Sequence, residues 1–376
     1  MIKRLYVDNY KCLVNFELQL RELTLLLGPN GVGKTSILDV IFALRQLLAG
    51  AAKVSDNGAF PTPTLTRWQD RDQQVFEIDV ALERKIGVLG CDEYRYRLEV
   101  QQLRTIRAAS VELETLELNG QPLFSFREGE VQVFRDDHSP GPTFDAEVWE
   151  SALARVPPRP DNKKLTKFLD FMRKVIVCGL YPAGFATESS TEDVVLQRDA
   201  SNFAGWYRHL LQERQERVPE FTKAIQGVIE GFRGIRMEKV GLDTRALMVM
   251  FEQFGERYEV RLDEISDGQR ALIALYSLVT LAAGQGYTLF LDEPDNYVAL
   301  AEIQPWLIEL ADACGDQVPQ AVLCSHHPEL IDYLGGDRGL VLRRESSGAT
   351  TVRPLREMEI EGGMKLSEVI ARGWEQ

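Results

Sequence analysis

Closely spaced cysteines are missing from this 376-residue sequence, which contains five cysteines in all. No two of them stand in a Cys-x-x-Cys pair, so the sequence indicates neither a zinc site nor a disulfide framework. Buried free thiols are the expected role. The five positions are Cys12, Cys91, Cys178, Cys314 and Cys324.

Long hydrophobic runs are missing as well. The longest apolar runs, such as Leu23–Leu27 and residues 287–291, have the length of a strand and fall short of the roughly 20 residues that span a bilayer. Asp8 and Asn9 interrupt any signal-peptide core near the N-terminus. We therefore expect a cytoplasmic protein with no membrane partner.

An excess of positive charge is absent too, because the net charge is −14. The field of the whole molecule repels nucleic acid, so any contact with DNA has to be regional. Basic residues do cluster in two stretches, where a solvated face is the default and where DNA or a partner protein would be expected to bind. They are Arg95, Arg97, Arg104 and Arg107 in the first stretch, and Arg155, Arg159, Lys163, Lys164 and Lys167 in the second.

Sustained heptads and internal repeats are not found, so the sequence predicts neither a coiled-coil arm nor a solenoid. What it does contain begins as an α/β pattern. Residues 5–7 and 16–20 alternate in polarity as half-buried antiparallel strands do, and Leu23–Leu27 is apolar throughout, as in a central strand covered on both faces. Residues 36–48 then have the apolar spacing of a helix with one buried face.

The rest of the chain divides by its patterns. Strand-like segments at 75–82, 94–101, 111–118 and 131–134, with Asn119-Gly120 as a turn signal, predict an antiparallel sheet. Helices are expected at 161–175, 202–215 (with Asn202 as N-cap) and 219–232. The last third alternates between strands at 247–251, 258–262, 288–291 and 321–324 and helices at 268–283 and 303–313, which implies a parallel sheet.

The expected fold class is therefore an α/β head with a mixed central sheet, an antiparallel β subdomain and a helical insertion. The expected segments are an N-terminal lobe at residues 1–150, a helical insertion at 151–240 and a C-terminal lobe at 241–376.

The run Gly28-Pro29-Asn30-Gly31-Val32-Gly33-Lys34-Thr35 fits the pattern G-x-x-x-x-G-K-[ST] in full, and it lies between a buried strand and a helix start. The glycines let backbone N–H groups turn inward around phosphates. The predicted helix that follows begins at Ser36, and its N-terminus adds partial positive charge. Lys34 can neutralise the β- and γ-phosphates of ATP, and the Thr35 hydroxyl can ligate Mg²⁺. Phosphate binding is the firmest functional prediction.

A second motif is the run Thr288-Leu289-Phe290-Leu291-Asp292-Glu293, in which an apolar strand ends in two acids. Open α/β sheets place ligands at such strand ends. Asp292 can hold Mg²⁺ through water, which leaves Glu293 to polarise the attacking water. Capping of the next helix is the alternative if the motif stood alone.

A third motif, Ser266-Asp267-Gly268-Gln269, opens an apolar helix. Taken alone it predicts a helix N-cap. Its place upstream of the acidic strand favours a second role, in which Gly268 lets the backbone approach a ligand.

Together with Cys324-Ser325-His326-His327-Pro328-Glu329, these motifs resemble the ABC-type ATPases, particularly the RecF-like and structural-maintenance-of-chromosomes branch. The resemblance implies that two subunits close over two ATP molecules, with Ser266, Gly268 and Gln269 of one subunit contacting the γ-phosphate held by the other. It also implies that His326 is the switch histidine, although the neighbouring His327 leaves the choice between the two open.

The resemblance further places Asn9-Tyr10-Lys11 near the nucleotide, so that Lys11 approaches phosphate, with a solvated lysine as the alternative. The family's Q-loop glutamine has no clear match, and Gln73 and Gln74 are the nearest candidates.

A closer resemblance is to stand-alone AAA-type, overcoming-lysogenisation-defect-like ATPases of bacterial defence loci. It is carried by residues 199–204, by Glu230-Gly231-Phe232 and by the ending Ala371-Arg372-Gly373-Trp374. Relatives with a nuclease domain have a long extension after the switch histidine, so this chain is expected to lack a nuclease of its own.

The leading hypothesis is an ATPase whose ATP-driven dimerisation gates a partner effector, such as a nuclease or toxin, in anti-phage defence. A RecF-like DNA-binding ATPase of repair or recombination is the alternative. A transporter subunit is less favoured, because the segment between Lys34 and Ser266 is long for that class.

Overall fold

The computed structural model describes residues 1–83, 90–357 and 367–368. By their internal contacts the described residues group into two units, one within Met1–Val175 and residues 338–357 and the other within Ile176–Asp337 and residues 367–368. The three-segment division expected from the sequence, with bounds at residues 150 and 240, remains a prediction.

The first unit is rich in strands. In chain order its elements are β1 (Ile2–Asp8), β2 (Phe16–Gln19), β3 (Leu23–Leu27), α1 (Lys34–Leu48), β4 (Gln73–Glu83), β5 (Cys91–Leu103), β6 (Ala108–Leu118), β7 (Gln121–Arg127), β8 (Glu130–Phe134), β9 (Pro140–Asp145) and α2 (Lys163–Arg173).

An eight-stranded antiparallel sheet in the order β2-β1-β4-β5-β6-β7-β8-β9 forms the larger part of this unit. The predicted period-two alternation is confirmed most fully in β4, where every second residue is buried. Asn119 and Gly120 both have positive φ, at 50° and 76°, and join β6 to β7 as the turn signal predicted. The expected antiparallel subdomain is thus confirmed, with β7 and β9 as strands that the sequence patterns did not predict.

The second unit contains β10 (Val175–Cys178, whose first residue belongs to the first unit), β11 (Glu188–Ser189), α3 (Phe203–Glu213), α4 (Val218–Gln226), β12 (Phe232–Lys239), β13 (Arg245–Gln253), β14 (Glu256–Arg261), α5 (Asp267–Tyr276), β15 (Thr288–Asp292), α6 (Leu300–Ala313), β16 (Gln320–Cys324) and α7 (Pro328–Arg338, whose last residue belongs to the first unit). The chain then returns to the first unit with β17 (Gly339–Arg344) and β18 (Thr350–Pro354).

Two pairings place the predicted motifs at strand ends. In the first unit, β3 pairs in parallel with β17, which pairs antiparallel with β18. In the second unit, β15 pairs in parallel with β16, from Thr288 beside Gln320 to Asp292 beside Cys324. The mixed parallel and antiparallel α/β fold expected from the sequence is confirmed.

Helix α5 continues without a break into one π-helical segment, Ser277–Leu281. Two buried hydroxyls bond back to the chain there: Ser277 Oγ donates to the carbonyl of Ile273 at 2.7 Å, and Thr280 Oγ1 donates to that of Tyr276 at 2.6 Å. The helix predicted at residues 268–283 is therefore present but not regular.

Two details of the helical middle differ from expectation. The helix predicted at 219–232 ends at Gln226, and Phe232 instead begins β12 after Gly231 adopts a φ of 75°. Asn202 precedes α3 but does not cap it, because its side-chain oxygen accepts a hydrogen bond from the backbone of Gln197. Within the described residues, no helix combines the length and apolar character required to cross a membrane.

Candidate functional site

The loop between β3 and α1 depends on glycine at three positions. Gly28, Gly31 and Gly33 have φ values of 149°, 78° and 113°, which residues with a Cβ rarely adopt. Gly33 is also the N-cap of α1 and has no side chain with which to cap the helix. Backbone N–H groups of the first turn of α1 are thus left for an anionic ligand.

The predicted phosphate-loop side chains differ in exposure. Lys34 is buried, and its Nζ donates to the carbonyls of Gly28 at 2.6 Å and Pro29 at 3.3 Å, so the ammonium folds back onto the loop. Asn30, Gly31 and Thr35 are exposed, and Ser36 is half-buried. The Thr35 hydroxyl at the start of the helix is an oxygen donor of the kind that Mg²⁺ takes.

Lys11 lies close to α1. Its Nζ is 2.8 Å from Asp39 Oδ2 on that helix, and its φ of 50° is in the left-handed region. The ammonium is half-exposed. A role for Lys11 in phosphate contact remains a prediction. In that role the ammonium would either leave the Asp39 carboxylate or contact the carboxylate and a phosphate at the same time.

Neither candidate Q-loop glutamine lies in a loop. Gln73 and Gln74 are the first two residues of β4. Gln74 is fully buried, and its amide donates to the carbonyl of Asn9 at 2.9 Å and accepts from Gln102 at 2.8 Å. Gln73 donates to Glu99 and Glu112. Both amides have hydrogen bonds within the first unit, and the Q-loop assignment stays open.

In the second unit, the acidic pair ends β15 as predicted. Asp292 is half-buried, and its Oδ2 lies 4.0 Å from a guanidinium nitrogen of Arg198. Glu293 has a φ of 47°, and its N–H donates to the carbonyl of Cys324 at 2.8 Å. A non-glycine residue in this region stores strain, which is a frequent property of functional positions.

Both carboxylate oxygens of Glu293 have a polar neighbour. His326 Nδ1 lies 3.3 Å from Oε1, and the Asn296 amide donates to Oε2 at 2.8 Å. The structure thus brings the predicted Glu293 and His326 together. It also adds Asn296, which the sequence patterns did not predict. Its sequence signal is its place three residues after Glu293, and in the structure the Asn296 N–H donates to the Glu293 carbonyl.

The second histidine is arranged differently. The backbone N–H of His327 donates to Ser325 Oγ at 2.9 Å, and the same hydroxyl donates to Asp295 Oδ1 at 2.8 Å. Ser325 and Asp295 are buried. This pair fixes the backbone after β16, and His326 is the histidine next to Glu293.

Ser266 is the N-cap of α5, as one of the two interpretations of its motif predicted. Its hydroxyl accepts from the Gln269 N–H, and the Gln269 side chain accepts from the Ser266 N–H, both at 3.2 Å. Gly268 lies against the backbone of Tyr297, because a Cβ there would stand 2.8 Å from the Tyr297 carbonyl oxygen. The exposed Ser266 therefore lies on a helix start that requires glycine for close packing.

The two basic stretches are largely ion-paired. Arg95 lies 2.8 Å from Asp79, and the hydrogen bond to this carboxylate raises the pKa of the Arg95 guanidinium. Arg97 pairs with Glu77 and Glu99. Arg104 pairs with Asp72. In the second stretch, Arg155 pairs with Glu150, Arg159 with Asp161 and Lys167 with Asp92. These pairs lower the positive potential that a phosphate backbone would meet.

The cysteines are free. Cys12, Cys178 and Cys324 are buried as expected, and burial raises the pKa of the Cys178 thiol to about 12. The expectation is wrong for Cys91, which is exposed at the start of β5, and for the half-buried Cys314.

Of the segments that carried the closer family resemblance, two have a described conformation. Ala200 has a φ of 58° just before α3, and Gly231 turns the chain into β12. The ending at residues 371–374 lies outside the described residues.

Comparison with known proteins identifies a family for most of this chain. Residues 23–332 match the family model described as "AAA domain, putative AbiEii toxin, Type IV TA system". A 41-residue segment, 11% of this chain, is 54% identical to the OLD nuclease of Thermus scotoductus, and the match covers 8% of that nuclease.

Two solved structures are similar over nearly the whole chain. One is the SmcHead bound to the C-winged helix domain of ScpA, with a TM-score of 0.58, 14% identity and coverage of 94% of this chain and 96% of that chain. The other is the Smc head domain with an extended coiled coil bound to the C-terminal domain of ScpA derived from Pyrococcus furiosus, with a TM-score of 0.56, 12% identity and coverage of 100% and 98%. At these identities the likeness shows the fold alone. With a family match over most of its length, the chain belongs to this AAA-domain family, and its fold is similar to that of SMC head domains.

Proposed function

We propose that this chain binds ATP with Mg²⁺, hydrolyses it, and uses the cycle to pair and separate two copies of itself. The observation that carries ATP binding is the conformation of residues 28–34, in which three glycines with positive φ and an uncapped helix start surround a lysine folded onto the loop. This arrangement suits a chain of phosphates because N–H groups, a helix dipole and an ammonium all favour negative charge.

In the proposed reaction, Glu293 accepts a hydrogen bond from the attacking water and takes its proton while the new P–O bond to the γ-phosphorus forms and the β–γ bridging bond breaks. Lys34 offsets the charge that develops on the phosphate oxygens. His326 holds Glu293 from one side and senses the γ-phosphate. Thr35 and Asp292 supply the oxygen ligands expected for Mg²⁺, which would neutralise phosphate charge when bound.

Pairing of two copies is supported by what surrounds Ser266. Ser266 is exposed, and Tyr297, whose backbone contacts Gly268, is 39% exposed. Leu300, three residues further along the chain, is 52% exposed. Apolar side chains next to a polar helix start suit a surface that is covered when a partner binds. We infer that Ser266, Gly268 and Gln269 complete the ATP site of the second copy.

The partner served by this cycle is proposed to be an effector in bacterial anti-phage defence, such as a nuclease or toxin. Support comes from the family description, which names a toxin of a type IV toxin–antitoxin system, and from the short match to a protein named OLD nuclease. The DNA-binding alternative has less support, because the arginines that would have met DNA pair with carboxylates.

The test is Glu293→Gln, which keeps the side-chain shape but removes the base. At saturating ATP we expect phosphate release to slow by about 100-fold or more, the usual contribution of a general base, while KM for ATP changes little. Light scattering should show a longer-lived ATP-bound dimer. Glu256→Gln, an exposed acid of β14 in the same unit, is the matched control and should behave as wild type. Hydrolysis by the Glu293→Gln protein within about threefold of wild type would refute the assignment.

A further inference from the structure

The phosphate loop has a buried support that comes from the far end of the chain. Thr350, the first residue of β18, is 2% exposed, and its hydroxyl donates to the carbonyl of Val32 at 2.7 Å. Its backbone N–H donates to the carbonyl of Cys12 at 2.9 Å. Thr350 thus ties three separate stretches of sequence together directly beneath the loop.

The bonded carbonyl belongs to the peptide unit that joins Val32 to Gly33. In a planar trans peptide the C=O and the following N–H point in opposite directions. A donor that fixes the Val32 carbonyl therefore also fixes the direction of the Gly33 N–H, which points away from Thr350. That N–H is one of those that a phosphate loop turns toward its ligand.

The surroundings leave this peptide little room to rotate. A Cβ on Gly33 would meet Cys12 Sγ at 2.8 Å and Thr350 Oγ1 at 3.2 Å, and Cys12 Sγ itself lies 3.8 Å from the Val32 carbonyl oxygen. At the start of the loop, a Cβ on Gly28 would meet the carbonyl oxygen of Leu342 in β17 at 2.7 Å. The β17–β18 hairpin therefore supports both ends of the loop.

We propose that Thr350 is a positioning residue for nucleotide binding, which acts by holding the Val32–Gly33 peptide with its N–H toward the phosphates. The residue lies beyond the family match, which ends at residue 332. The inference rests on the proposed ATP binding but concerns a residue that does not itself touch ATP. Its hydroxyl lowers the cost of ordering the loop, so its loss should weaken ground-state binding and leave the chemical step alone.

The test compares Thr350→Val, which removes the hydroxyl at nearly constant shape, with Thr350→Ser, which keeps it. Titration of each purified 376-residue protein with a fluorescent ATP analogue and MgCl₂ should show Kd raised about fivefold to tenfold by Thr350→Val and within twofold of wild type for Thr350→Ser. Steady-state hydrolysis should show KM raised to a similar degree with kcat unchanged. Thr351→Val, on the opposite face of the same strand, is the matched control and should match wild type.

Thermal unfolding without nucleotide checks that each variant is folded. If Thr350→Val does not fold, Thr350→Ser still tests the proposal. This variant keeps the hydroxyl and loses only the methyl group, so a loss of ATP affinity in it would contradict a role for the hydroxyl. Equal losses of affinity in the serine and valine variants, or wild-type affinity in a folded valine variant, would overturn the proposal while leaving the proposed function intact. Failure of the wild-type protein to bind ATP would overturn both.

Discussion

Replacing Gly33 by alanine tests how tightly the phosphate loop is packed against Cys12. Gly33 has a φ of 113°, where an L-residue is strained by about 1–2 kcal/mol. The new Cβ would also stand 2.8 Å from Cys12 Sγ, and such overpacking typically costs about 1–3 kcal/mol. Together these effects should amount to about 2 kcal/mol or more, so we expect ATP binding to weaken at least about thirtyfold.

The two causes can be separated by a second substitution. Cys12→Ala removes the sulfur and hence the contact, but it leaves the backbone strain. In the Gly33→Ala background it should recover about 1 kcal/mol, seen as a Kd for ATP about fivefold lower than in the single variant. Cys12→Ala alone should bind ATP within twofold of wild type.

Gly31 is the matched control. Its φ is 78°, yet a Cβ there meets nothing within 4 Å, so Gly31→Ala has backbone strain without the sulfur contact. Cys12→Ala should therefore leave the Kd of the Gly31→Ala variant unchanged. The Kd values come from nucleotide titrations of all six proteins. Equal effects of Cys12→Ala on the two glycine variants would refute the packing argument.

Two further outcomes are expected. Glu114 is fully buried and accepts hydrogen bonds from Tyr96, Ser151 and the N–H groups of Ala152 and Leu153, yet burial raises its pKa above the usual 4.5. A raised folded-state pKa favours the native state most below pH 4.5, and this contribution is lost as pH rises through the folded-state value. Urea unfolding should thus show that the free energy of unfolding of Glu114→Gln rises relative to that of wild type between pH 4 and pH 8. Parallel pH profiles of the two proteins would contradict this. Glu114→Ala should lower the free energy of unfolding by about 3 kcal/mol, because it leaves the four donors unpaired. Leu300→Asp places a charge on the exposed first residue of α6, three residues after Tyr297, and should abolish the ATP-dependent dimer of the Glu293→Gln protein in light scattering. Ile308→Asp, two helical turns further along α6, should leave that dimer intact. A dimer that persists in both variants would exclude this surface from the interface.

Features encoded locally were predictable. The strand Leu23–Leu27, the phosphate loop and α1 follow one another within a few residues, and each has its own signature in apolar pattern or glycine spacing. The hairpin at Asn119-Gly120 is specified by two residues. The same holds for Ser266, whose cap is completed by Gln269 three residues later.

The features that were missed depend on distant residues. The bond from Thr350 to Val32 joins positions 318 residues apart, and no periodicity in either segment signals it. From the sequence alone, Arg95 and Arg97 were candidates to contact DNA or a partner protein. The register of β4 and β5, however, places Asp79 and Glu77 opposite them. Strand β9 contains two prolines and is mostly exposed, so its pairing with β8 has no alternating pattern.

The π-helical segment Ser277–Leu281 forms the C-terminal end of the helix that begins at Asp267, and turns follow it. An α-helix turns about 100° per residue. Deleting one residue from Ser277–Leu281 would let this last stretch wind as regular α-helix, and it would rotate Asp267–Tyr276 by about that angle relative to the chain that follows. Ser266 would still cap the helix, yet it would face a different direction. The direction in which this helix start faces is therefore set by residues some ten positions downstream of it.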